Sequence, residues 1–337
     1  MPAEPDTIAR DARLALIAAN PLSGARPSRA MVDALCVELE RHGLAAQVFT
    51  NLDEITAAAR DAHAAGRLRA VVAAGGDGTL AELVNRTPAD TPLAVFPLGT
   101  ANLMAGYLGL DARPDRFASM LAAGRSIRLD AALGRVAAPP HSASSLKSQA
   151  SNLSPAARVF LIMAGVGFDA AVVDRLHSRR SGHIRMWNYA KPIWDCVRNY
   201  QYPPLRCECA LADRDAPAAT VAFDARWLFV QNLPSYAGGL QFAPHANPRD
   251  GLLDVCAFER GGCWHGLRYL AFVLAGGQRR LKDCRMLRVA RIRVEANGSA
   301  GVQFDGDPAG QLPLEIESLP ARARMLVPEG AALRLET

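Results

Sequence analysis

At 337 residues, half of them hydrophobic, the chain is long enough for two domains with sizeable cores. Its formal charge of +5 permits attraction to anionic lipid surfaces, but the absence of a long Lys/Arg tract and an aromatic content of 6% argue against a nucleic-acid surface. No segment approaches the roughly 20 apolar residues of a membrane span, and the first residues, M-P-A-E-P-D-T, lack a basic-then-apolar export pattern. The seven cysteines, at 36, 196, 207, 209, 256, 263 and 284, are odd in number and show no metal-type pairing. Reduced thiols in a cytoplasmic protein are the expectation.

The first third alternates strand-like and helix-like segments. Residues 14–19 form an apolar run ending in the loop signal N-P-L-S-G at 20–24. Residues 28–42 carry Met31, Leu35, Leu39 and His42 near helical spacing, and Gly43 suits the end of that helix. A strand at 44–50, a helix at 54–65 stopped by Gly66, and a strand at 70–74 follow. Residues 79–85 open another helix, 93–97 a fourth strand, and 101–108 a further helical stretch. Continuous apolar strands separated by helices predict a parallel sheet covered on both faces, with ligands at the carboxyl ends of its strands. Three loops fall at such ends: N-P-L-S-G, G-G-D-G-T at 75–79 and P-L-G-T at 97–100.

The texture changes near residue 130. Residues 134–157, rich in Ala, Ser and Pro without a period, read as an excursion between two strands. An apolar strand is expected at 159–163, followed by G-V-G-F-D-A at 165–170. Further strands are expected at 206–210, 226–231, 253–258, 287–295, 302–304 and 312–317, with helices at 169–198 and 263–276. The expected division is an α/β domain at 1–130, a β-rich domain at 131–320, and a C-terminal segment at 321–337 that could return to the first domain. The second domain is expected to be mainly antiparallel, with the active site in the interdomain cleft.

The loop at 75–79 carries the most chemistry. Its glycines allow backbone N–H groups to approach a ligand, and the helix start adds positive potential. Thr79 begins T-L-A-E, a capping-box pattern completed by Glu82. Asp77 would repel a phosphate unless a divalent cation lay between them, so the loop reads as a site for phosphate bound with magnesium. Asn20, Ser23 and Gly24 offer small polar groups near such a ligand, or form a plain turn. Thr100 could bond a phosphate or cap its helix, and Asn102 could reach the ligand or satisfy the backbone. In D-G-D-P at 305–308 an acid beside Gly306 can project into a cleft, or simply form a hairpin turn. Asp307, as a second carboxylate close by, could raise the proton affinity of Asp305. Arg175, His177, Arg179, Arg180, His183, Arg185 and Lys191, with Trp187, Tyr189 and Trp194, could face lipid headgroups or form a solvated helix and turn.

In order, N-P-L-S-G at 20–24, G-G-D-G-T-L-A-E at 75–82, P-L-G-T-A-N-L at 97–103, G-V-G-F-D-A at 165–170, D-G-L-L-D at 250–254 and F-D-G-D-P at 304–308 span nearly the whole chain. Asn232, Gly238, Gly239, Pro244 and Ala246 fit the same series. Together these motifs resemble the diacylglycerol kinase catalytic-domain family, which includes bacterial lipid kinases and relatives of sphingosine and ceramide kinases. The resemblance implies a nucleotide-kinase-like α/β domain followed by a β-sandwich, and ATP-dependent phosphorylation of a lipid hydroxyl with Mg2+. It implies ATP against Gly75, Gly76, Asp77, Gly78, Thr79, Leu80 and Ala81 and against Gly99 and Thr100, with Asn20, Thr50 and Asn102 nearby. Asp305 would be the general base, supported by Asp307. Metal ligands would be Asp77 and, at a structural cation, Asp250 with the carbonyl of Leu252. Asp307 departs from the family, which usually has glutamate there. The implied partner is a lipid at the membrane surface, reached transiently, with a homodimer also allowed. An NAD kinase-like enzyme, which shares G-G-D-G-T, and an inactive lipid-binding module are the competing readings.

Overall fold

The computed structural model describes residues 6–19, 26–137, 157–177, 194, 197–211, 219–236 and 239–331. The chain divides into two units, Met1–Leu129 with Ala321–Thr337, and Asp130–Pro320.

The first unit holds strands β1 (Asp6–Thr7), β2 (Leu14–Ala19), β3 (Ala45–Phe49), β4 (Leu68–Gly75) and β5 (Pro92–Pro97). Its helices are α1 (Arg26–Arg41), α2 (Leu52–Ala64), α3 (Asp77–Arg86), α4 (Leu103–Leu108) and α5 (Pro114–Ala123). The order β3-β2-β4-β5 is parallel throughout. All eight residues of β4 are buried, as an apolar run covered on both faces requires. Ile17, Val72, Ala94 and Phe96 pack with Leu35 and Leu39 of α1 and Phe117 and Leu121 of α5 in one core. Helix α2 starts where Asn51 accepts the N–H of Asp53 at 2.8 Å. Helix α5, which the apolar pattern did not announce, starts at Pro114 and ends at Gly124 with φ +67°.

Strand β6 (Arg125–Ala137) leads into the second unit. There follow β7 (Ala157–Phe160), β8 (Met163–Gly167), helix α6 (Phe168–His177), β9 (Leu205–Leu211), β10 (Thr220–Ala225), β11 (Trp227–Gln231) and β12 (Leu253–Phe258). Helix α7 (Cys263–Leu274) precedes β13 (Cys284–Ala296), β14 (Gly301–Phe304) and β15 (Asp307–Leu326). Pairing within this unit is antiparallel and closes on itself through β13-β12-β11-β8-β14-β15-β13, with β9 and β10 continuing from β13. Alternate residues face one core: Leu228 and Val230, Val255 and Ala257, Ile292 and Val294, Val302 and Phe304, Leu314 and Ile316.

Two expectations change here. Residues 134–137 and 157 are strand rather than excursion, since Gly134 pairs with Arg158 and Arg135 with Ala157; residues 138–156 lie outside the described set. The single strand expected at 159–163 is broken at Leu161 and Ile162, because the N–H groups there bond a side chain instead of a neighbouring strand.

Candidate active site

In the first unit the loops after β4 and β5 form one assembly. Helix α3 begins at Asp77 with Gly76 as its cap, three residues earlier than the capping box, with Thr79 as cap, placed it. Thr79 therefore lies in the first turn, its N–H bonded to the Gly76 carbonyl at 3.0 Å. Glu82 instead pairs forward with Arg86 at 2.9 Å. The Asp77 carboxylate crosses to α4, its two oxygens accepting the N–H groups of Leu103 (2.9 Å) and Met104 (3.1 Å). Burial nonetheless raises its pKa above the usual aspartate value, against the lowering effect of these bonds.

Asn102 sits in the left-handed region at φ +49° and caps its own loop from within: it accepts from Gly99 N–H at 3.0 Å and donates to the Gly99 carbonyl at 2.8 Å. Of the two roles open to it, the backbone one is observed. Thr100 is exposed and does not cap α4, which starts at Leu103. The glycines also serve a purpose other than the one expected. A Cβ on Gly99 would lie 2.4 Å from the Gly76 Cα, and one on Gly75 would lie 2.4 Å from Thr79 Oγ1. They let the two loops touch, before any ligand is considered. Leu80 and Ala81 turn their side chains into the core, leaving only backbone to offer. Thr50 is exposed just beyond β3, and Asn20, Ser23 and Gly24 lie outside the described residues, as do Gly238 and residues 179–191.

In the second unit Asp305 and Gly306 form the two-residue turn joining β14 to β15, with φ +50° and +86°. Asp-Gly with both residues at positive φ is the preferred chemistry for such a hairpin. The turn is more than a connection. The carboxylate of Asp305 accepts from Leu161 N–H (2.8 Å) on Oδ2, and from Ile162 (2.8 Å) and Met163 (3.0 Å) on Oδ1. Its own N–H donates to the Met163 carbonyl at 3.0 Å. Burial pushes its pKa up to about 6, outweighing the three backbone bonds and the nearby Arg158, which pull it down. Desolvation is the cause, and Asp307 is not: that carboxylate pairs with Arg158 at 3.3 Å.

A second acid stands behind this turn. Asp169, buried in G-V-G-F-D-A, accepts from Tyr236 Oη at 2.7 Å and from Gln303 Nε2 at 2.6 Å, and burial raises its pKa. Gln303 Oε1 accepts the Gly306 N–H at 2.8 Å, tying Asp169 to the turn that carries Asp305. Gly165 must be glycine here, since a Cβ would fall 1.8 Å from Asp169 Oδ2. Sequence reasoning had not singled out Asp169 or Gln303 as site residues. The available signal was a polar side chain, Gln303, within the buried run V-Q-F.

At 250–254, Gly251 has φ +78° and donates to Asp130 at 2.6 Å, while Asp250 accepts from Leu252 N–H at 3.0 Å and pairs with Arg288. A cation at Asp250 would have to displace or share with that guanidinium. Asp254, buried with Oδ2 unbonded, is raised to about 6 by desolvation. Among the described residues no group of three or more His, Cys, Asp or Glu side chains is assembled for a metal. Cys36, Cys207, Cys209, Cys256, Cys263 and Cys284 are free thiols, as expected. No helix among the described residues is long and apolar enough to cross a membrane.

A parallel α/β unit with paired glycine loops, preceding an antiparallel β unit, is a fold that this chain shares with solved diacylglycerol kinase and NAD kinase structures. The chain superposes on a diacylglycerol kinase from Bacillus anthracis with TM-score 0.63 over 95% of this chain and 98% of that one, at 16% identity. It also superposes on an NAD kinase from Archaeoglobus fulgidus with TM-score 0.50, 14% identity and coverage of 96% and 97%. The sequence separates the two. Residues 14–133 match the diacylglycerol kinase catalytic domain, and residues 163–327 match the YegS C-terminal NAD kinase beta sandwich-like domain. A diacylglycerol kinase of Mycobacterium tuberculosis is 29% identical over 320 residues, covering 92% of this chain and 93% of that protein. The chain belongs to the diacylglycerol kinase catalytic-domain family and is an enzyme of the lipid kinase type.

Proposed function

We propose that the protein transfers the γ-phosphoryl group of ATP to the hydroxyl of a lipid such as diacylglycerol. The observation that carries this reading is the bonding of Asp305. An ionised carboxylate has about four acceptor positions, and backbone N–H groups fill two on Oδ1 and one on Oδ2. One position on Oδ2 is left to take the hydroxyl proton as the lipid oxygen attacks phosphorus. A pKa of about 6 keeps the acid ionised at neutral pH, yet closer to proton acceptance than an ordinary aspartate. The three N–H bonds fix its direction. Arg158, beside Asp307, adds positive charge to the same surroundings.

The donor ATP would lie along backbone N–H groups of residues 75–81 and against Thr100, with Thr50 and Asn20 at the margin. Asp77 fits magnesium through carboxylate acceptor capacity left after its bonds to Leu103 and Met104. When bound, magnesium supplies neutralisation of charge on the transferring phosphates. At Asp250 and Leu252 a structural cation remains part of the reading, in competition with Arg288. Transfer requires the donor loops and Asp305 to act on one phosphoryl group, with the lipid presented from a membrane surface.

The experiment is labelled-phosphate transfer from ATP into a total lipid extract and into pure diacylglycerol, with NAD as a parallel acceptor. A phosphorylated lipid, lost in D305A, supports the proposal. Label found only in NADP would establish the NAD kinase reading, whose fold this chain shares. ATP binding without transfer to any acceptor would indicate an inactive lipid-binding module.

A further inference from the structure

Helix α7 gives one side to the core and leaves large apolar residues exposed on the other. On the inner side Tyr269 stacks on Phe258 at 4.3 Å and meets Trp227 edge-on at 5.9 Å. Gly266 fits there because a Cβ would come within 2.9 Å of the Trp227 ring. The outer side is Trp264, Arg268, Ala271, Leu274 and Ala275, all exposed, so its apolar groups lie on either side of one arginine. Trp264 is 82% exposed and Leu274 71%. These are larger exposures than those of Val37, Val48 and Trp194, the other large hydrophobics that stand out.

Apart from Glu259, which pairs with Arg285, and the buried Asp283, the charge around this stripe is positive. From 260 to 282 the chain contains Arg260, Arg268, Arg279, Arg280 and Lys282 and no Asp or Glu. Arg268 is held by Asp283 at 2.5 Å, and Tyr269 Oη donates to the same carboxylate at 2.7 Å, so this pair fixes the helix and Arg268 is largely neutralised. Arg260 lies 3.8 Å from Asp283. Arg279, Arg280 and Lys282, just past the helix end, are exposed.

We propose that this face of α7 docks on an anionic lipid bilayer, with Trp264 and Leu274 entering the interface and Arg279, Arg280 and Lys282 meeting headgroup phosphates. An apolar stripe flanked by cations is the pattern of a helix lying in a membrane interface. A second copy docking face to face would bring the same exposed cations, Arg279, Arg280 and Lys282, against each other. A nucleic acid would use the cations but gain nothing from Leu274. The choice of a lipid partner rests on the lipid kinase reading, whereas the docking itself can be measured without ATP.

The test is co-sedimentation of the full chain with vesicles of phosphatidylcholine alone or mixed with phosphatidylglycerol, in the absence of nucleotide. Wild type is expected to prefer the anionic vesicles, and brominated lipid should quench tryptophan fluorescence less in W264F. The variant W264E/L274E should bind about tenfold or more weakly, because two apolar groups can no longer enter the interface. R279E/R280E should lose about fivefold for each arginine and with it the anionic preference. Both variants change exposed positions, and circular dichroism with thermal melting checks that they fold. W264E/L274E should still phosphorylate a short-chain diacylglycerol dispersed in detergent at the wild-type rate, while transfer to vesicle-bound lipid falls. Wild-type vesicle binding by W264E/L274E, or no anionic preference in wild type, overturns the proposal. Conversion of a dimer to a monomer by W264E/L274E, with vesicle binding unchanged, would assign the face to self-association and also overturn it. Vesicle binding without transfer from ATP to any lipid would count against the kinase reading and leave the docking face standing.

Discussion

Asp77 in the first unit and Asp305 in the second make an informative pair. Each is an acid beside a glycine just past a strand end, each is bound by distant backbone N–H groups, and burial raises the pKa of both. They differ in what those bonds accomplish. Asp77 spends one acceptor position per oxygen on the first turn of α4, where a negative charge is favoured by the helix dipole, and so clasps two loops together. Asp305 takes three donors from a broken strand while itself held at φ +50°. Its free position is single and directed. The brace at Asp77 and the proposed base at Asp305 thus differ in how backbone N–H groups divide the carboxylate's acceptor positions.

The largest expected effect separates the two roles. D305A should lower single-turnover phosphoryl transfer by about 10²–10⁴-fold with ATP affinity retained. D305N is not a silent control, since its amide NH2 must face one of three N–H donors and should cost stability too. Transfer by D305A within twofold of wild type would end the base assignment and make both aspartates braces.

Asp77 should show the opposite balance. D77N leaves an N–H of α4 facing an amide donor, at a cost of about 1–3 kcal/mol in denaturant unfolding. ATP affinity by calorimetry should weaken with it as residues 99–104 shift. A D77N protein with wild-type stability but no transfer would show that the magnesium role of Asp77 outweighs its role as a brace. G99A tests the same brace from the other loop. Its Cβ would lie 2.4 Å from the Gly76 Cα, so overpacking of about 1–3 kcal/mol is expected, again with weaker ATP binding.

The pH dependence sharpens the assignment further. A raised folded pKa means that Asp305 holds a proton below about pH 6 and is then unable to accept another. The transfer rate should therefore fall on acidification through about 6, at a pH where ATP remains bound. An acid limb near 4 would mean that the carboxylate is solvated when it works. The smallest effect is expected at Asp307, half-exposed and ion-paired with Arg158. D307E should change stability by no more than about 0.5 kcal/mol and leave transfer nearly unaltered.

Much of the fold can be read along the chain. The unbroken apolar segments around residues 14–19, 70–74 and 93–97 announce buried parallel strands, and glycine and proline mark the loops at their ends. Asp305-Gly306 reads as a hairpin turn from composition alone. Helix α5 and the short β10 are less legible, because Pro114 and the part-exposed residues of β10 give no strong period. The capping box at Thr79 was locally reasonable and misplaced, since the strand end and its contact with Gly99 fix where α3 begins.

What sequence determined by itself is periodicity, turn chemistry and the motifs that identify the family, all properties of neighbours along the chain. Tertiary structure alone decided that Asp77 bonds residues 26 positions away and that Asp305 bonds a strand break 142–144 positions away. It also decided that Gln303 joins Asp169 to the turn at Gly306. The reason is physical: a carboxylate's acceptor positions are filled by whichever N–H groups strand register brings within about 3 Å, and register is set by packing of the whole sheet.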